Sequence, residues 1–212
     1  MDVSFGGSRH TLALTKPGEG HLILAMDTVL DRPWSTEQFL AWEDQQEGKN
    51  EFDGFRVVPM TGGSIAHQVI VFNLLTLFAR LLTGTSLRAL HEMRIRIGPQ
   101  IRYPDVLVYS GPLKQTLKTL NDAIMIFEVL SDDTAASDRV AKLIDYANVP
   151  SLQYYIMLEQ ASCAAIVNRR ETAGTWTAAA QTEGAIALPE LNLILPLEEI
   201  YQGLTFDHQP ND

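Results

Sequence analysis

Residues 101–110 read IRYPDVLVYS. Val106, Val108 and Tyr109 favour extended backbone and Leu107 adds bulk, so the run predicts a buried strand. Two residues do not suit it. Pro104 has no N–H to give a ladder. Asp105 carries a carboxylate into apolar surroundings, which is costly unless the group is paired, hydrogen-bonded or bound to a metal. The next apolar run, AIMIFEVL at 123–130, predicts a central strand covered on both faces. It holds a second acid of the same kind, Glu128. A third, Glu51, precedes Phe52 in NEFDGFRVVPM, 50–60, where Asp53-Gly54 predicts the turn of a hairpin or bent strand.

The flanking segments define the rest of the fold. SLRALHEMRIRIG, 86–98, alternates Met93, Ile95 and Ile97 against Arg94 and Arg96 and predicts one strand, turning through Pro99-Gln100 into 101–110. STEQFLAWEDQQ, 35–46, opens a helix: Ser35 and Gln38 have capping-box spacing, and Phe39, Leu40 and Trp42 form its stripe. The longest helix falls in 61–82, where Ile70, Leu74, Leu77, Phe78 and Leu81 recur at helical spacing and Val71 and Leu75 widen the face. That width predicts burial by a sheet on one side and by another element, such as a second subunit, on the other. SDRVAKLIDYANV, 137–149, predicts a helix with Val140, Leu143, Ile144 and Ala147 as its core stripe. SLQYYIML, CAAIVNRR and TWTAAAQT predict three further strands in an antiparallel continuation, and LPLEEIYQGL a short terminal helix. Helices flanking a mixed sheet make an α/β or α+β domain. Residues 34–212 are expected to form it as a single domain, and 1–33 an N-terminal extension with one strand at HLILAM.

Composition narrows the function. The chain has 212 residues, 46% hydrophobic and 20% charged, the balance of a soluble globular protein. A single cysteine, Cys163, forbids an intrachain disulfide and predicts a reducing, cytoplasmic setting; among small apolar neighbours it reads as a core residue. No membrane partner is expected, because the longest apolar stretch, 65–82, is interrupted by His67, Gln68, Asn73 and Arg80. A net charge of −10 disfavours nonspecific binding to polyanions over the whole surface. From Arg80 to Arg102, however, five arginines face one acid, Glu92, as suits either a nucleic-acid contact or a solvated hairpin face.

If the strands bearing Asp105 and Glu128 are neighbours, their carboxylates converge at one sheet end. Converging carboxylates raise each other's proton affinity unless a cation neutralises them. Oxygen ligands of this kind suit Mg²⁺, which keeps water and substrate phosphate in its remaining positions. That is the logic of phosphodiester hydrolysis. The alternative is structural: Asp105 satisfies turn amides and Glu128 pairs with an arginine. A lysine that stabilises developing charge is missing two residues after Glu128, where Leu130 stands. The next candidate, Lys142, lies off the apolar stripe, on a second one with Asp138 and Tyr146.

With these residues in view, the chain resembles the Uma-type family, a former domain of unknown function assigned to the endonucleases of the PD-(D/E)XK restriction-endonuclease-like superfamily. The resemblance runs from about Ser35 to Phe206, through KNEF, MTGGSIAHQVIVFNL, YPDVLVYSGP, FEVLSDDTAASDRVAKLIDYANVPSLQYYIML and LEEIYQGLTF. It implies a restriction-endonuclease-like mixed β-sheet core flanked by helices. It also implies cleavage of nucleic acid, DNA foremost, with Mg²⁺ or Mn²⁺. Asp105 matches the acid of the PD half, Glu128 the acid of the (D/E)XK half, and Lys142 a lysine moved to the next helix. Glu51 matches an upstream acid and His67 a histidine at the start of the long helix. Asp105, Glu128 and Glu51 are thus the implied metal ligands, and Lys142 and His67 complete the implied catalytic set. Tyr103 and Ser131 fall in the same motifs without a role.

Two departures stand out. Glu51-Phe52-Asp53-Gly54 brings the turn one position early relative to the family's glutamate, aromatic, any residue, aspartate, glycine. Asp132 replaces a usual proline. A homodimer is expected from the broad helix faces. The rival readings are a non-catalytic nucleic-acid- or protein-binding module on this fold and a metal-dependent hydrolase of a small phosphorylated substrate.

Overall fold

A computed structural model describes residues 34–60, 62–130, 136–172 and 174–206, with backbone alone at 136–138. The strand expected at HLILAM, Ser131 and Asp132 lie outside the described residues. Helix α1 (Thr36–Glu43) begins at the expected capping box: the Ser35 hydroxyl accepts the Gln38 amide, and the Gln38 side chain accepts the Ser35 amide. Phe39 anchors it, stacked on Phe52. Strands β1 (Asn50–Phe52) and β2 (Val57–Pro59) form the early hairpin. Its turn falls at Asp53-Gly54, where Gly54 has a φ of 98° and Asp53 Oδ1 accepts the Phe55 and Arg56 amides. Such a φ favours glycine.

Helix α2 (Ile65–Leu81), capped by Ser64, buries Ile70, Val71, Leu74, Leu77 and Phe78 as its spacing predicts. The breadth of that face is used within the chain. The sheet covers one side, and the terminal helix, whose last carbonyls accept the Asn73 amide group, packs beside it.

The stretch 86–110 is one hairpin bent in the middle. Strands β3 (Arg88–His91), β4 (Ile95–Ile97), β5 (Gln100–Arg102) and β6 (Val106–Tyr109) pair as β4 with β5 and β3 with β6. Both ladders keep one register, and the Glu92 amide donates to the Asp105 carbonyl between them. The single strand expected over 86–98 is therefore two, in two different sheets. Glu92 takes a left-handed φ of 45°, and on the partner strand Pro104, opposite Met93 in this register, has no N–H, so neither strand carries its ladder through the bend.

Downstream run β7 (Met125–Leu130), α3 (Ala136–Ala147), β8 (Tyr154–Glu159), β9 (Ala165–Arg170), β10 (Trp176–Gln181), β11 (Ala185–Leu188), β12 (Leu193–Pro196) and the single turn α4 (Leu197–Ile200). The larger sheet has the order β10-β9-β8-β7-β6-β3, the smaller β2-β1-β5-β4, and β11-β12 form a separate pair. Strand β8 pairs parallel with β7, not antiparallel as expected, because α3 supplies the crossover that a parallel pair requires. Strands β9 and β10 continue antiparallel as expected. The β11-β12 hairpin has no counterpart among the expected elements; it lays Ile186, Leu188, Leu193 and Leu195 on the α2 side of the core, where Cys163 is also half-buried.

Strand alternation divides the larger sheet. Met125, Phe127 and Val129 face α2 with Val106 and Val108. Leu107, Tyr109, Ile126 and Leu130 face the other way, with Tyr146 and Val149. Glu128 lies between Ile126 and Leu130 in sequence and shares their face.

Candidate active site

Two registers assemble the acids. Val106 pairs with Phe127 across β6 and β7, so one step further Asp105 stands opposite Glu128 on the same face. Phe52 pairs with Ile101 across β1 and β5, so one step further Glu51 stands opposite Arg102. The bend at Tyr103-Pro104-Asp105 carries the chain from the second pair to the first. Pro104 thus ends one ladder and lets Asp105 point away from regular pairing.

Each carboxylate is held. Asp105 Oδ2 accepts the Val129 amide at 2.6 Å, and Oδ1 lies 3.0 Å from His67 Nε2. Glu128 Oε1 accepts the Tyr146 hydroxyl at 2.6 Å, and Oε2 accepts the Lys142 ammonium at 3.1 Å. Glu51 Oε1 accepts the Tyr103 amide, and Oε2 accepts Arg102 Nη1 at 3.0 Å. Lys142 Nζ is also 4.0 Å from Glu51 Oε1. The structure brings Asp105, Glu128, Lys142 and His67 to one sheet end, with Glu51 beside Lys142. All five line one cavity of about 1130 Å³, along with Gly62, Gly63 and Ser64 at the start of α2.

The orientation of α3 departs from expectation in part: Leu143 packs on the core as expected. Val140 and Ile144, read as core, are 56% and 59% exposed, whereas the Lys142 side chain is 17% exposed and Tyr146 is fully buried. Asp138's side chain is outside the described residues. The physical reason lies beneath the helix: it covers the acid end of the sheet, where a buried carboxylate demands donors more than methyl groups.

The arginine strip is only partly surface, with Arg80 and Arg88 exposed. Arg94 and Arg102 are buried; Arg94 pairs with Asp44, and Arg102 with Glu51 and Asp145. Arg96 pairs with Glu37, Arg80 with Glu199, and Arg88 donates to the Thr85 and Leu87 carbonyls. Local charge in the sequence cannot show partners that folding brings from far along the chain.

Electrostatics follow the geometry. Burial pushes the Glu128 carboxyl up to about 7; Lys142 and the Tyr146 hydrogen bond oppose this, and the charges of Asp105 and Glu51 add to it. His67 is raised by its hydrogen bond to Asp105, against burial, so the imidazolium is favoured beside the carboxylate. Burial lowers the Arg102 guanidinium's proton affinity, but Glu51 and Asp145 outweigh that and raise it overall. Tyr146 is raised by burial and by Glu128 and stays a donor.

Four carboxylates, Glu51, Asp105, Glu128 and Asp145, meet three basic side chains, Lys142, Arg102 and His67. The surplus negative charge and the all-oxygen acid pair have the chemistry that a hard divalent ion takes. Among the described residues no three His, Cys, Asp or Glu side chains are gathered close enough to form a ligand group by themselves. Glu51 shares Lys142 with Glu128, at 4.0 and 3.1 Å from the ammonium. Two carboxylates with water and a substrate phosphate are a usual set for Mg²⁺, so the residues fit such an ion. From the sequence, Arg102 falls in the basic strip rather than in the site, and Asp145 has no role. The signal for Asp145 was its place one helical turn beyond Lys142.

The mixed sheets with flanking helices form a restriction-endonuclease-like fold. The same fold is found in the crystal structure of a "putative nuclease belonging to DUF820" from Anabaena variabilis. That structure has a TM-score of 0.68 at 14% identity, covering 80% of this chain and 98% of that one. Residues 36–205 match the Uma2 family, described as "Putative restriction endonuclease", and the chain belongs to that family. Two uncharacterized proteins of Synechocystis sp. are similar to it. One, slr1290, is 31% identical over 177 residues, 81% of this chain and 93% of that protein. The other, sll1609, is 30% identical over 129 residues, 58% of this chain and 73% of that protein. No helix among the described residues is long and apolar enough to cross a membrane.

Proposed function

We propose that the chain is a divalent-metal-dependent endonuclease that hydrolyses phosphodiester bonds in DNA. The observation that carries this reading is the cross-strand pair Asp105–Glu128 with the Lys142 ammonium 3.1 Å from Glu128, in one wall of a large cavity. Asp105 and Glu128 would hold Mg²⁺ or Mn²⁺, with Glu51 the further acid that orients water or joins them. Such an ion, when bound, polarises a phosphate oxygen and lowers the pKa of a coordinated water.

The chain's own residues do the rest. Lys142 offers a fixed positive charge to the negative charge that develops on the phosphate. Tyr146 holds Glu128 Oε1 and leaves Oε2 to face Lys142. His67 and the Val129 amide fix Asp105 from two sides, so the acid does not reorganise when substrate arrives. His67 is auxiliary in this scheme, a charge partner of Asp105.

Cleavage of plasmid DNA in Mg²⁺ or Mn²⁺ tests the reading. The wild-type chain is expected to cut, and the Asp105→Ala, Glu128→Ala double variant to lose cutting. Unchanged cleavage by the double variant contradicts the assignment. A binding module on the same fold would retain DNA with no response to the metal.

A further inference from the structure

We infer that Arg102 and Asp145 are positioning residues for Lys142: their ion pair pins α3 to β5 and so sets the reach of the lysine to Glu128. The inference rests on the proposed role of Lys142 and deepens it. A lysine two residues after Glu128 would have its place fixed by the β7 ladder, but Leu130 stands there. Lys142 sits on a helix, so its distance from the acid pair depends on how that helix is fastened. The packing of α3 does little of this on its outer side, since Val140 and Ile144 face solvent.

The polar fastening is specific. Arg102 Nε and Nη2 both donate to Asp145 Oδ2, at 3.0 and 2.6 Å, while Nη1 donates to Glu51 Oε2 at 3.0 Å. A guanidinium is planar and presents these donors in a rigid fork, so one group fixes the helix and the second acid beside Lys142 together. Arg102 is 4% exposed, which shields the pair from water. Asp145 lies one helical turn beyond Lys142. Arg102 lies three residues before Asp105, so the segment that carries the proposed ligand also carries the fastening of the proposed lysine. Buried ion pairs are weak evidence of stability but are attested as devices that select one arrangement.

The test uses the whole chain and two conservative variants, Asp145→Asn and Arg102→Lys, which keep volume and lose charge or fork. Lysines are acetylated with acetic anhydride and counted by mass spectrometry, with thermal melting run in parallel. The expected result is a several-fold rise in Lys142 acetylation in both variants, with Lys118, which is distant and exposed, unchanged and melting still cooperative. In cleavage assays Asp145→Asn is expected to lower kcat about tenfold with KM unchanged, as for an interaction expressed in the transition state. Added to Lys142→Ala it should cost nothing further, because residues acting as one unit are not additive.

Unchanged acetylation of Lys142, an equal rise at every lysine, loss of cooperative melting, or an additive loss in the double variant would each overturn the inference. The footprint needs no cleavage, so it stands or fails separately from the nuclease reading, which fails instead if Lys142→Ala cuts DNA as the wild type does.

Discussion

Helices α2 and α3 lie on opposite faces of the same six-stranded sheet and meet it with different chemistry. Helix α2 presents Ile70, Leu74, Leu77 and Phe78 to Val106, Val108, Met125 and Phe127. Helix α3 presents Lys142, Asp145 and Tyr146 to Glu128 and Arg102, and leaves Val140 and Ile144 outside. Beyond its first turn, where His67 meets Asp105, the first helix obeys the hydrophobic effect, because the strands beneath it present apolar side chains. The second obeys the need of buried charge for partners, because an acid stands beneath it. A stripe of apolar residues therefore tells which way a helix faces only where the surface it covers is apolar too.

Substitutions on the two helices sharpen this contrast. Leu74→Ala empties part of the α2 core and should cost about 2–5 kcal/mol in denaturant unfolding, without changing cleavage per folded molecule. Lys142→Ala should act on cleavage, lowering kcat by about 100-fold, the scale of losing one preorganised charge-stabilising group, and should also lower the melting temperature because Glu128 loses a partner.

The metal-free chain should also show the cost of the acid beneath α3. Glu128 is raised in the folded state to about 7 from an ordinary value near 4.5. The folded chain therefore holds that proton more tightly than the unfolded one. The resulting stabilisation is fully present below about pH 4.5 and is lost as pH rises through about 7. His67, also raised, adds in the same direction, its share present below about 6.5 and lost as pH rises past its folded value. In chelator, melting temperature should fall across that window, and Glu128→Gln should remove the carboxyl's part of the fall. A Glu128→Gln profile that follows the wild type would show that the burial is not felt. The smallest effect belongs to the outer face of α3. Ile144→Ser should change stability by less than about 0.5 kcal/mol and leave cleavage as it is; a loss of several times that would mean the apolar stripe is covered after all.

How much of this was legible in the sequence follows the same division. Pro104 and Asp105 marked the break in the strand because each violates a local rule of strands. Glu128 marked itself by sitting in a run too apolar for it. Local signals also placed the Ser35 cap, the Asp53-Gly54 turn and the buried face of α2. What could not be read was set at long range. Arg102 meets Asp145 across 43 positions and Arg94 meets Asp44 across 50, so two arginines of a basic strip in the sequence are drawn into buried ion pairs. The bend at Glu92 needed the partner strand, where Pro104 precedes the residue opposite it, Asp105, and interrupts the ladder. The parallel pairing of β8 depended on where α3 delivers the chain.

The central claim is that Asp105 and Glu128 form one divalent-ion site. Titration calorimetry with Mn²⁺ tests it most directly, on the wild-type chain and on Asp105→Asn and Glu128→Gln, which keep the shape of each side chain. The account predicts saturable binding by the wild type and its loss in both variants while all three remain folded. Equal Mn²⁺ binding by the three proteins, or none by the folded wild type, would contradict it.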